Sequence, residues 1–117
     1  MSFGNDCSSI ILCNEQLERV KVMVKATMDF GKLTVSGQDI GPLCEELFGD
    51  SDYEYAYIFD EENTFKLLDS LKPLAKAANE KSLMSAFIRL FSGVDGCMAL
   101  REYCEENEIQ YRFWNYM

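Results

Sequence analysis

The side chains in this sequence that can do chemistry are carboxylates, tyrosines and cysteines, and histidine is absent. Without it there is no Ser-His-Asp or Cys-His nucleophile and no His-ligated metal, and the commonest neutral-pH general base is missing. Catalysis would rest on paired carboxylates, as in glycoside cleavage, where two such groups face each other across a bond. Asp39, Asp52 and Glu54 are the candidates for that role. Asp50-x-Asp52-x-Glu54, with Glu61 eleven residues after Asp50, also echoes the ligand positions of a calcium loop. Tyr55 stands where such a loop needs glycine for its sharp turn, so no metal site and no cofactor is expected. Gly37-Gln38-Asp39-Ile40-Gly41 has two glycines but no following Lys-Ser/Thr, and its acid would repel a phosphate. No catalytic residue is assigned.

The carboxylates matter more by position than by number. The chain carries 20 acidic and 11 basic side chains, net −9. Nine of the acids, Asp39, Glu45, Glu46, Asp50, Asp52, Glu54, Asp60, Glu61 and Glu62, fall between Lys32 and Lys66, an interval with no Lys or Arg. That interval alone accounts for the formal charge, and its acids are expected to sum to a negative potential over one side of the fold. Such a field attracts a basic protein and repels nucleic acid and anionic lipid. Acidic surfaces also serve solubility alone. Tyr53, Tyr55 and Tyr57 stand among the acids. They read either as interface anchors, where tyrosine is enriched, or as a packed sheet face with hydroxyls at its edge.

The elements that hold these groups follow from periodicity. Residues 19–30 alternate, with Val20, Val22, Val24, Ala26, Met28 and Phe30 on one parity, the pattern of a half-buried strand. Gly31-Lys32 reads as a turn into a second strand, Leu33 to Ser36. Ser8 to Cys13 fits a strand or a helical turn. Pro42 suits the first turn of a short helix ended by Gly49. Tyr53 to Phe59 alternates as a strand, and Asp60 is the expected cap of the next helix. Phe65, Leu68, Leu71 and Leu74 form a stripe broken near Pro73. Asn79 caps a helix through Leu83, Phe87 and Phe91, and Ser92-x-x-Asp95 has the form of a capping box before a last helix. Ile109 to Trp114 closes the chain as an aromatic strand.

The expected fold is α+β in the order β-β-α-β-α-α-α-β. An antiparallel or mixed sheet of about four strands would carry helices on one face, in a single domain spanning residues 1–117. Cys7, Cys13, Cys44, Cys97 and Cys104 are an odd number with no C-x-x-C pair, which argues for reduced thiols rather than a disulfide framework. Cys97 and Cys104, seven apart, read as buried small hydrophobes on one helix face. The N-terminal residues lack a secretory pattern and no apolar run approaches bilayer length, so a cytoplasmic location is expected.

The segments Gly37-Gln38-Asp39-Ile40-Gly41 and Phe48-Gly49-Asp50-Ser51-Asp52-Tyr53-Glu54-Tyr55 look like a pattern in small bacterial proteins. In size, acidity and lack of catalytic groups the chain resembles the immunity proteins that neutralise secreted bacterial toxins. The resemblance implies a cytoplasmic, non-catalytic inhibitor that docks acidic and aromatic side chains on a basic toxin domain, such as a nuclease. Asp39, Glu45, Glu46, Asp50, Asp52 and Glu54 would attract the partner, and Tyr53, Tyr55 and Tyr57 would touch it. A small carboxylate-based hydrolase and a general interaction or scaffold domain are the alternative readings.

Overall fold

The computed structural model describes residues 8–77 and 79–116; Cys7 and the N-terminal residues read above lie outside them. The sheet has five strands, one more than expected, and all neighbours are antiparallel: β1 (Ser8–Gln16), β2 (Lys21–Asp29), β3 (Lys32–Ile40), β4 (Asp52–Ile58) and β5 (Arg112–Tyr116), in sequential order. Helix α1 (Pro42–Phe48) joins β3 to β4. Helices α2 (Glu61–Ser70), α3 (Glu80–Phe91) and α4 (Gly96–Glu106) join β4 to β5, with a single 3-10 turn at Lys72–Leu74.

The additional strand is the segment that sequence left undecided. A register shift between Ile11 and Cys13 inserts an extra residue into β1, so that Leu12 and Cys13 are both buried and the two-residue period fails there. The β2–β3 turn is Phe30-Gly31, one residue earlier than expected. Both residues have positive φ (52° and 77°), the pattern of a type I′ turn, and Phe30 is thereby thrown outward instead of joining the core parity.

One face of the sheet is covered. Val22, Val24, Ala26, Met28, Leu33 and Val35 meet Leu67, Leu68 and Leu71 of α2, Leu83, Phe87 and Phe91 of α3 and Leu100 of α4 in one hydrophobic core. Asp60 and Asn79 cap α2 and α3 by accepting from Asn63 N and Ser82 N, each at 2.8 Å. Two local expectations are corrected. The buried stripe of α2 is Thr64, Leu67 and Leu68, continued by Leu71, while Phe65 and Leu74 are about half exposed. No capping box forms at α4: Ser92 ends α3, and Asp95 precedes α4 without a side-chain cap bond. The last strand starts at Arg112 rather than Ile109, because Ile109 is buried, its N–H bonded to Cys104 O, and Gln110 N donates to Asn63 Oδ1.

Candidate functional site

Eight of the residues expected to meet a partner, all but Tyr57, gather at one corner of the molecule, formed by the end of β3, helix α1 and the start of β4. Helix α1 is seated there by backbone. Gly41 donates to Ser51 O at 2.8 Å and Leu43 to Arg19 O at 3.1 Å, and Gly41 has a φ of 146°, with its Cα so close to Arg19 that a Cβ would stand 2.6 Å from that carbonyl. The helix therefore holds Glu45 and Glu46 outward beside the loop that carries Asp50. Glu46 pairs with Arg19, both side chains more than half exposed, an arrangement that contributes little to stability.

The corner has two faces, and the pleat sorts the residues between them. Asp52 and Glu54 project from β4 to the uncovered face, where Gln38 Nε2 donates to Asp52 Oδ1 at 2.9 Å and to Glu54 Oε1 at 3.5 Å. Asp39, Tyr53 and Tyr55 project to the helix-covered face. Asp39 thus has the sheet between it and Asp52 or Glu54, so these carboxylates do not face each other across a common cleft. Asp60, Glu61 and Glu62 sit at the far end of β4, roughly 20 Å away by strand rise over its seven residues. The expected single field of nine acids is therefore two groups. Glu45, Glu46, Asp50, Asp52 and Glu54 make the outward-facing one at the corner. The calcium-loop echo is dispersed in the same way, and among the described residues no group of three or more Cys, Asp or Glu is placed to hold a metal ion.

The tyrosines form an aromatic row on the covered face. Phe48 stacks on Tyr53 (centroids 4.6 Å, 19°), Tyr53 lies 5.6 Å from Tyr55, and Tyr55 meets Tyr57 edge-on at 6.2 Å. Tyr57 is buried and packs on Tyr111 and Phe113; Tyr53 and Tyr55 are half-buried against the core. Their role at this corner is to hold β4 and α1 together, with the packed-face reading favoured over the contact reading.

Behind that row is a small polar cluster. Tyr55 and Cys97 are neighbours there, and burial pushes the Tyr55 phenol upward and the Cys97 thiol up to about 11. Burial also raises Asp39, whose Oδ1 is buried with no hydrogen-bond partner among the described residues. Cys13, Cys44 and Cys104 are buried and free, their thiols likewise raised by burial. In each case desolvation is the largest cause and disfavours the charged form.

Sequence reasoning missed the uncovered face itself. Ile11, Met23, Lys25, Ser36, Gln38, Glu54, Ala56 and Trp114 line a shallow groove of about 410 Å³ across four strands and the edge strand β5. Ile11 is 70% exposed and Trp114 48% exposed, which makes this face more apolar than a merely solvated one needs to be. Glu54 lies toward one side of the groove and Lys25 toward the other. The parity of Arg112, Trp114 and Tyr116 was the available signal, but it gains a direction only when β5 is paired to β4, Ala56 opposite Trp114 and Glu54 opposite Tyr116.

No single helix among the described residues is long and apolar enough to cross a membrane. The chain matches no protein-family model, no curated protein and no solved structure.

Proposed function

We propose that this chain is a non-catalytic, protein-binding inhibitor of the immunity type, acting in the cytoplasm on a basic toxin domain such as a nuclease. The docking surface is the uncovered sheet face together with the acidic corner beside it. One observation carries the reading: exposed apolar side chains, Ile11 and Trp114, share a groove with Glu54, whose neighbour Asp52 is held beside it by Gln38. Interfaces combine such features, an aromatic anchor that is desolvated on contact and charged groups that select and steer the partner.

In this account Glu45, Glu46, Asp50, Asp52 and Glu54 supply attraction and Trp114 supplies contact. Tyr53 and Tyr55 act from behind the sheet, keeping β4 and α1 in place. Asp39, turned inward, contributes no contact. A partner that binds nucleic acid carries the clustered Lys and Arg that this surface complements, and covering them would block its substrate.

The test is affinity capture from extracts of the source cells, using the wild-type chain and the variant Glu45→Lys/Asp50→Lys/Glu54→Lys. The expected result is a basic protein retained by wild type at low salt, lost with the variant, and inhibited in its own activity by added wild-type chain. Equal retention by both chains, or a retained protein whose activity is untouched, would contradict the proposal.

A further inference from the structure

On the uncovered face Trp114 and Tyr116 stand two residues apart on the edge strand β5, so their side chains emerge from the same side of the sheet. Their rings are within 10° of parallel and their centroids are 6.5 Å apart. A planar group between two rings needs about 7 Å, twice a carbon contact distance of ~3.5 Å, so a planar ligand lies against this pair and not between its rings. Trp114 is about half exposed and Tyr116 64% exposed. Glu54 is the direct cross-strand partner of Tyr116, and Ala56, the partner of Trp114, is too small to fill the floor between the strands. Among the described residues the ion pairs are Arg19–Glu46 and Lys72–Asp69, so no Lys or Arg of the chain is paired with Glu54. Gln38 Nε2 donates to Asp52 Oδ1 at 2.9 Å and more weakly to Glu54 Oε1 at 3.5 Å, which leaves Glu54 with acceptor capacity to spare.

We infer that this is a receptor for an arginine side chain of the basic partner. The guanidinium lies against the paired Trp114 and Tyr116 rings and hydrogen-bonds through its fork to the Glu54 carboxylate. Each part of the ligand has its match. A planar, delocalised cation stacks on aromatic faces and presents two parallel N–H groups to a carboxylate, and its aliphatic stem packs on Ala56. Lysine offers a compact, strongly hydrated charge with no plane to stack, so the site discriminates against it. The inference rests on the partner-binding reading and makes it specific: arginine is the residue by which the toxin domain is held at this edge.

Trp114 is the only tryptophan in the chain, so its emission reports on the site without a label. The probe is the capped tripeptide Gly-Arg-Gly, with the lysine and citrulline tripeptides as controls. A saturable change in emission is expected with the arginine peptide, with a dissociation constant in the roughly millimolar range suited to a single side chain. Glu54→Gln and Tyr116→Ala, each checked for native circular dichroism, are expected to weaken it about tenfold, and the lysine peptide to bind about tenfold more weakly. The citrulline peptide, planar but uncharged, is expected to give no saturable response. An unsaturable response to arginine, an equal response to citrulline, or a constant unchanged in both variants would overturn the inference. Capture of a basic protein that survives Glu54→Gln unchanged would remove the arginine receptor while leaving the broader reading intact. Arginine-peptide binding without any captured basic partner would remove the broader reading and leave the receptor.

Discussion

The phenol ring of Tyr55 lies across Gly37, its cross-strand partner, so closely that a Cβ at position 37 would stand 2.2 Å from Tyr55 Cζ. The glycine is what lets the ring lie flat on the sheet. Gly37→Ala is expected to destabilise the fold by about 1–3 kcal/mol through this overpacking. In a Tyr55→Ala background the same substitution should cost close to nothing. Denaturant unfolding of the four chains checks it: additive losses would mean that the ring does not need the glycine.

Phe30 has a φ of 52° in a two-residue turn that favours Asn-Gly, and its side chain is 62% exposed. A bulky residue in the left-handed region is strained, so Phe30→Asn should stabilise the chain by about 1 kcal/mol. The midpoint of urea unfolding is the measurement, with the slope expected to stay constant.

Asp39 combines a pKa raised by burial with an unpartnered Oδ1. Its native pKa lies above its unfolded value, so the native state binds the proton more tightly. Stability is therefore fully retained below the unfolded pKa and falls as pH rises through the native pKa. Asp39→Asn, which removes the charge, should match wild type at low pH and exceed it at pH 7, with Tm higher by a few degrees, the size of about 1 kcal/mol in a chain of this length. Thermal unfolding at several pH values will decide; a constant difference across the range would speak against desolvation as the cause.

The thiols of Cys97 and Cys104 are pushed by burial up to about 11, and those of Cys13 and Cys44 are raised as well. At pH 8 a thiol of that pKa is ionised to about one part in a thousand, so native labelling should be slow. In a Cys7→Ser background, thiol reagent at pH 8 should label the four remaining cysteines on the timescale of opening and all at once in denaturant. Rapid native labelling of Cys97 would show that its sulfur is not protected by burial.

Much of the framework was readable because its signals are local. Pro42 and Gly49 bound α1, Asp60 and Asn79 cap the helices that follow, and the Val20–Met28 alternation carries the second strand. The features that were not readable depend on distant neighbours. The bulge of β1 breaks its period because β2 pairs around it, and Ser92 and Asp95 have capping-box spacing, but Ser92 ends α3 and Asp95 precedes α4 without a side-chain cap bond. At the site, sequence found the acids and the tyrosines and gave both to one surface. Alternation along β4 puts Asp52 and Glu54 on the opposite face from Tyr53 and Tyr55, and nothing local says which face the helices will cover. The uncovered face could be recognised only once β1 and β5, which supply Ile11 and Trp114, were placed at its two edges.

The central claim, that the acidic corner and the adjoining sheet face receive a basic protein, is tested most directly by the association rate of the captured partner as a function of ionic strength. Wild type should associate quickly at low salt and slow steeply as salt screens the field, while Glu45→Lys/Asp50→Lys/Glu54→Lys should associate slowly with little salt dependence. The same rate and the same salt slope for both chains would contradict the account.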